Sequence, residues 1–470
     1  MERSAIEQQV LPFWDEQILP ALIEYVRIPN ESPAFDKEWE AHGHMQSAVE
    51  LVTGWIERQA VPGLKLRVFK DGGRTPLILA EVPGALPEVV LMYGHVDKQP
   101  PMVGWREDLG PWQPVREGDK LYGRGAADDG YAVFAAIATA KALQALGQPH
   151  ATLKILIECS EESGSTDLPH YLQAYGAEFG EPNLVVCLDS GCGNYEQLWS
   201  TTSLRGLVGC TLRVEMLREG VHSGIAGGVV PNPLQVVRLL LDRLEDPATG
   251  RLKPEALHVE IPEQRIAQAR KTAQVLGGAV TGDFPFLEGV RALGDDTQQL
   301  LLASTWEPAM AAIAQEGLPE LGKGGNVLLP GLALRLSLRI PPTLDPKAAS
   351  EAVKRTLEAD PPFGARVTVT TGGEPGWNAP PLADWLGEAT DAASREFYGK
   401  EACYWGIGGS IPFMHMIGER FPDAQFLITG VLGPNSNAHG PNEFLHVPYA
   451  ARLTCCLVRI LAAHHDRYAR

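Results

Sequence analysis

The chain lacks the marks of several large protein classes. Its seven cysteines, at 159, 187, 192, 210, 403, 455 and 456, are odd in number and include no Cys-x-x-Cys pair. They read as small core residues in a reducing cytosol rather than as redox or disulfide groups. No apolar run approaches the ~20 residues that span a bilayer, and Met1-Glu2-Arg3-Ser4-Ala5-Ile6-Glu7 has no apolar leader core. A cytoplasmic chain that engages no membrane is expected. Positive charge is in deficit, 40 Lys and Arg against 58 Asp and Glu for a net −18, which opposes phosphate backbones and anionic lipid and excludes nucleic acid as a partner. Gly-x-Ser-x-Gly, His-Glu-x-x-His and phosphate-loop motifs are missing as well, which removes local support for a serine hydrolase, a single-zinc protease or a nucleotidase. Gly123-Arg124-Gly125 begins like a dinucleotide fingerprint, but Asp128 stands at the third glycine position, where its charge would oppose a pyrophosphate.

What is present is a chain of 470 residues, more than one core accommodates, so two domains are expected. Helical spacing joins Ala48, Leu51, Val52, Trp55 and Ile56 until Pro62-Gly63. Strand-like runs follow at 64–69, 77–82 and 89–93, then a helix over 131–146 and apolar strands at 153–157 and 184–188. This alternation predicts an α/β domain with a mostly parallel sheet and helices on both faces. Near Arg205 the pattern becomes a smaller α+β unit: strands at 208–214, 332–340 and 367–371, helices at 233–244 and 348–357, and further helices near 263–276 and 308–315. From Pro381 the first pattern resumes, with a strand at 426–431 and a closing helix at 448–468. The expected domains are therefore 1–204 with 376–470, and an inserted lid or dimerisation domain at 205–375.

Metal-type ligands gather where buried strands are expected to end. His95 and Asp97 follow an apolar run, and two residues apart in extended chain they project to one side, so Asp97 can orient the His95 ring while its other nitrogen binds a cation. Glu161-Glu162, Asp189 and His439 stand after three further strands, and Asp128-Asp129 adds a fifth cluster. Each alone is more often a cap or a solvated charge; five at strand exits in one chain are hard to ascribe to capping. Two histidines and three carboxylates with a bridging hydroxide neutralise two divalent cations, which favours two metals about 3.5–4 Å apart. Adjacent Glu161 and Glu162 diverge, so one can ligate while the other serves as general base.

Gly94-His95-Val96-Asp97-Lys98-Gln99-Pro100, Gly123-Arg124-Gly125-Ala126-Ala127-Asp128-Asp129-Gly130, Glu161-Glu162-Ser163-Gly164-Ser165 and Asn437-Ala438-His439-Gly440-Pro441-Asn442-Glu443 together resemble the di-zinc exopeptidase family of carnosine and cytosolic non-specific dipeptidases. Aminoacylase, acetylornithine deacetylase and succinyl-diaminopimelate desuccinylase are more distant relatives. The resemblance implies that Asp128 bridges two zinc ions (manganese or cobalt also suit), with His95 and Asp189 on one and Glu162 and His439 on the other. It further implies Glu161 as general base, Asp97 behind His95, and a cis peptide between Asp128 and Asp129. In the inserted domain, His222 in Val221-His222-Ser223-Gly224 resembles a lid histidine that acts across a homodimer. Arg339 resembles the arginine that takes the substrate carboxylate, Gly409 and Ser410 the loop beside it, and Asn326 a lid residue.

One departure matters: Gly406-Ile407 precede Gly408-Gly409-Ser410 where those dipeptidases carry Arg-Glu. The expected activity is hydrolysis of a dipeptide or short peptide with a free α-carboxylate, with domain closure bringing Arg339 onto that carboxylate. An N-acyl amino-acid deacylase is the enzymatic alternative, and a non-catalytic dimerisation or ligand-binding module the alternative of another class.

Overall fold

Val89 to Tyr93, apolar without interruption, form the inner part of a ten-residue strand, Leu86–His95, in a computed structural model that describes residues 1–282 and 284–469. Two compact units make up the chain, one of residues 1–202, 379–405 and 411–470, the other of residues 203–378 and 406–410.

The first unit begins with helices α1 (Arg3–Phe13), α2 (Leu19–Val26) and α3 (His44–Arg58). Strands β1 (Lys65–Phe69), β2 (Leu77–Val82) and β3 (Leu86–His95) follow, then α4 (Tyr131–Ala145), β4 (Ala151–Glu158), β5 (Pro182–Cys187) and β6 (Trp199–Leu204). The peptide between Asp128 and Asp129, just ahead of α4, is cis. After the second unit come α9 (Asp384–Tyr398), β11 (Gln425–Ile428) and α10 (Val447–Tyr468). Seven strands of the large sheet run β1–β2–β4–β3–β5–β11–β6, and the central four, β4, β3, β5 and β11, are mutually parallel. Parallel strands buried on both faces read as continuous apolar runs, which is why these were legible. Gly94 faces α4 so closely that a Cβ there would lie 2.6 Å from Ala132 Cβ. On the opposite face Tyr93 stacks on Phe413 of the helix Pro412–Arg420, with ring centroids 3.5 Å apart. Helix α4, rich in alanine and buried around most of its circumference, can lie this close because its side chains are short.

In the second unit β7 (Gly206–Glu215), β8 (Ala309–Glu316), β9 (Gly331–Ile340) and β10 (Arg366–Glu374) form an antiparallel sheet ordered β8–β9–β7–β10. Helices α5 (Pro233–Leu244), α6 (Glu263–Leu276), α7 (Thr297–Thr305) and α8 (Pro346–Glu358) accompany it. Val208, Cys210, Leu212 and Val214 alternate inward from β7 onto Val236 and Leu240 of α5 and Val353 and Leu357 of α8. Each such aliphatic side chain contributes about 1.5–3 kcal/mol by leaving water.

Three expectations need correction. Residues 308–315 form no helix; Ala309–Glu316 is β8, an edge strand paired with β9 through a register shift between Ala312 and Ala314. Backbone pairing at the sheet edge outweighs the helix propensity of an alanine-rich stretch. The strand expected at 426–431 ends at Ile428, so His439 is carried by a loop and not by a strand exit. Residues 406–410, expected with the first domain, group with the second unit, where the Arg205 N–H donates to the Ile407 carbonyl (3.3 Å).

Candidate metal centre

The carboxyl ends of β3, β4 and β5 point to one edge of the sheet, as parallel strands must. His95 is the last residue of β3, Glu161 and Glu162 open the turn just after β4, and Asp189 lies two residues past β5. Asp128 enters from the turn before α4, and His439 from the loop between β11 and the strand Phe444–His446.

Asp128 stands between the two histidines. Its Oδ1 is 3.4 Å from His95 Nε2 and its Oδ2 is 3.1 Å from His439 Nε2. His95 Nε2 also lies 3.8 Å from Asp189 and 4.0 Å from Glu161, and His439 Nε2 lies 3.4 Å from Glu162. Ligand atoms of His95, Glu161 and Asp189 fall within 4.8 Å of one another, as do those of His95, Asp128 and Glu162. His95 Nε2 and Glu162 Oε1 are buried and have no hydrogen-bond partner. Buried polar atoms are rarely left unpaired, and cations held among these side chains would satisfy both. The donor set therefore fits divalent metal.

The electrostatics lead to the same conclusion. Burial, followed by the charge of Asp189, pushes the Glu161 carboxyl well above its usual range. Burial and neighbouring Asp128 raise Glu162 to about 8. Burial works against ionisation of Asp128 too, but the two histidines outweigh it and hold that carboxyl low. Burial opposes protonation of His439, yet Asp128 and Glu162 lift it to about 9. Four carboxylates packed this closely repel one another, and positive charge among them removes that repulsion.

Asp97 plays a broader part than the sequence suggested. His95 Nδ1 is 3.4 Å from the Asp97 carboxylate but 3.1 Å from the Asp97 backbone carbonyl. Meanwhile the Asp97 carboxylate accepts the N–H groups of Glu161 (3.1 Å) and Glu162 (2.9 Å). One side chain thus registers β3 against the glutamate turn. Two contacts are not foreseen from the sequence: Asp129, of the Asp128-Asp129 cluster, accepts the His95 N–H (3.2 Å), and the Gln99 amide donates to Glu162 Oε2 (2.5 Å). Both sit inside quoted motifs, but nothing local says which ligand each would hold.

The remaining predicted residues lie in the second unit. The short ladder of Val221–His222 with Val327–Leu328 brings exposed His222 beside Asn326, whose carbonyl accepts the Ser223 N–H (2.9 Å). Arg339, on β9, is half-buried and, among the described residues, has no hydrogen-bond or ion-pair partner. Gly409 and Ser410 follow a loop braced by Arg205, another unforeseen residue. Its guanidinium donates to the carbonyls of Gly408 (3.4 Å), Ala303 (3.4 Å) and Glu307 (3.3 Å). A Cβ at Gly408 would meet Ser304 O at 2.8 Å and Arg205 Nη2 at 2.9 Å, and one at Gly406 would meet Ser203 Oγ at 2.6 Å. A side chain at position 406 would also crowd Thr305 of α7, whose Cβ would lie 2.9 Å from the added Cβ.

A parallel-centred sheet with this donor set at its carboxyl edge defines an α/β metallohydrolase. A model of the family described as Peptidase family M20/M25/M40 matches residues 91–463, and the chain belongs to that family. A cysteinylglycine-S-conjugate dipeptidase of Corynebacterium striatum is 29% identical over 396 residues, covering 81% of this chain and 83% of the relative. A Beta-Ala-His dipeptidase of Homo sapiens is 27% identical over 460 residues, covering 93% and 87%. The solved structure of the di-peptidase Dug1p from Saccharomyces cerevisiae shares the fold, with a TM-score of 0.78 at 20% identity over 99% of both chains. The family resemblance carried by the four motifs is thereby borne out.

Proposed function

We propose that this metallopeptidase hydrolyses dipeptides bearing a free α-carboxylate, using two zinc ions (manganese or cobalt also suit). The observation that carries the reading is Asp128, whose two oxygens each face a different histidine. His95 and Asp189 would hold one cation, Glu162 and His439 the other, and Asp128 both. Bound cations supply an acidified water and polarise the scissile carbonyl. Glu161 accepts the proton of the attacking water at its carboxylate and delivers it to the leaving amine nitrogen. Asp97 holds the Glu161 and Glu162 amides, and through its backbone carbonyl fixes the His95 ring. His222 stabilises charge developing on the carbonyl oxygen.

Arg339 takes the substrate carboxylate, beside Gly409 and Ser410, while Asn326 steadies the His222 turn. A half-buried arginine that feels the Glu374 charge but has no hydrogen-bond or ion-pair partner among the described residues is suited to a carboxylate, which would give it close charge-assisted pairing. Arg339→Met is expected to raise KM for a dipeptide about 10–100-fold with a smaller change in kcat, because a hydrogen bond to a charged group contributes ~1.5–3 kcal/mol. An unchanged KM would remove Arg339 from the binding role.

We further propose a homodimer in a reducing cytoplasm. Ile225 and Val229, both 81% exposed beside His222, and the exposed edge strand β8 support self-association, and all seven cysteines are free and buried. If His222 serves the neighbouring subunit, mixing His222→Ala with Glu161→Gln protein under subunit exchange restores activity; a verified heterodimer without activity would assign His222 to its own subunit.

The loop Gly406–Ser410 is uncharged and is braced by a guanidinium, so it supplies no anion for a free substrate amine. This favours, as a second reading, N-acyl amino-acid deacylation. Assay of zinc-loaded protein on a panel of unblocked dipeptides and their N-acetyl-amino-acid counterparts separates the two. Turnover of neither class would sink both.

A further inference from the structure

We propose that the buried Arg124–Glu443 ion pair is a positioning element of the metal centre that acts chiefly on its His439 half, so that its loss weakens the cation site His439 completes more than the other. The inference rests on the two-cation reading above. Both residues lie within the motifs that carry Asp128 and His439, and among the described residues neither hydrogen-bonds a ligand side chain. Arg124 is 1% exposed and Glu443 0%.

Their hydrogen bonds divide between two ligand segments. Glu443 Oε1 accepts the backbone N–H groups of Gly125 (3.0 Å), Ala127 (3.3 Å) and Asp128 (3.3 Å). Glu443 Oε2 accepts from Arg124 Nη1 (2.6 Å). Arg124 Nη2 donates to the carbonyls of His439 (3.1 Å) and Gly440 (2.8 Å), and Nε to that of Pro100 (3.2 Å). The carboxylate holds the backbone of Asp128, the guanidinium holds the backbone of His439, and the ion pair joins them. A second link, from the Gly123 N–H to the Glu443 carbonyl (3.0 Å), leads into the pairing of Phe444–His446 with Lys120–Tyr122.

The two halves of the centre differ in how much they need this tie. His95 ends a central strand, and Asp189 follows another by two residues, so the sheet ladder itself places them. His439 comes from a stretch of irregular chain after Ile428, has a left-handed backbone (φ +63°), and is flanked by Asn437 (+54°) and Asn442 (+61°) in the same region. Left-handed backbone is uncommon outside glycine and persists where surrounding structure imposes it. Arg124 is the side chain that holds this turn against the Asp128 segment. A point charge with three donors on a flexible stem cannot reproduce a planar fork serving one carboxylate and three carbonyls at once.

The test is zinc content after dialysis, with chelator-competition titration of the zinc ions. Wild type is expected to hold about two zinc per chain. Glu443→Gln, which keeps the shape but removes the counter-charge of Arg124, is expected to hold about one, with the weaker dissociation constant raised at least about tenfold and the tighter raised less, in the range of losses seen when groups behind metal ligands are changed. Arg124→Lys is expected to move the same constant less far, and supplies the measurement if Glu443→Gln does not fold. Arg459→Met, which breaks the partly exposed pair with Glu396, is the control for general destabilisation and should lower the melting temperature without altering zinc stoichiometry. Two zinc ions of wild-type affinity in the folded variants, or equal weakening of both, would overturn the proposal. A wild-type stoichiometry of one would instead overturn the two-cation reading, and the proposal with it.

Discussion

Glu161→Gln should retain wild-type metal content and lose about 10²–10⁴-fold in kcat, the range by which a positioned general base accelerates proton transfer. At 1.36 kcal/mol per tenfold, that is about 3–5 kcal/mol of barrier. The expectation follows from how the residue is held. Asp97 fixes the Glu161 amide, yet the Glu161 carboxylate accepts no hydrogen bond from the protein among the described residues, and its nearest histidine nitrogen is 4.0 Å away. Such a group is placed but uncommitted, which suits one that must gain and release a proton. Glutamine preserves the shape and the backbone bond, so the metal ligands should not move. Elemental analysis beside steady-state kinetics checks both halves. A near-wild-type rate at full metal content would exclude Glu161 as the base.

Asp128→Ala should be more damaging, and in a different way. Each Asp128 oxygen faces a different histidine, so the substitution removes a ligand from both sites together. Metal content after dialysis should fall below one per chain, and kcat/KM by an order of 10⁴-fold or more, since groups acting as one unit fail together. Far-UV circular dichroism should be little changed, because α4 and β3 are packed by Gly94, Ala132 and their apolar neighbours rather than by this carboxylate. The contrast is the diagnostic: Glu161→Gln separates rate from metal content, whereas Asp128→Ala lowers both. Metal content unaltered in Asp128→Ala would contradict the bridging role.

Much of the catalytic domain was legible because parallel strands buried on both faces must be apolar throughout. The runs ending at Tyr93, Ile157 and Leu188 could hardly be anything else, and the ligands following them inherit that placement. Where pattern and pairing competed, pairing prevailed. Ala309–Glu316 carries helix-favouring alanines but lies at a sheet edge whose neighbour, β9, supplies its hydrogen bonds. The N-terminal helices α1 and α2 were not singled out, since Pro12 and Pro20 interrupt the periodicity that would have marked them. The role of Asp97 was half visible: proximity suggested its tie to His95, but not that its carboxylate serves the backbone of a turn after a different strand.

By itself the sequence determined the chemistry available, namely which residues can ligate, which adjacent glutamate pair can divide its labour, and which strands deliver them to one edge. These are local properties, written in residue type and in periods of two and 3.6. Only the tertiary structure decided that the Asp97 carboxylate holds the amides of Glu161 and Glu162, that Arg124 and Glu443 join the loops behind Asp128 and His439, and that Arg205 rather than a loop arginine braces Gly408. Each of these depends on side chains from distant segments meeting in a water-poor interior, where an unpaired charge or donor is costly and finds its partner in space rather than along the chain.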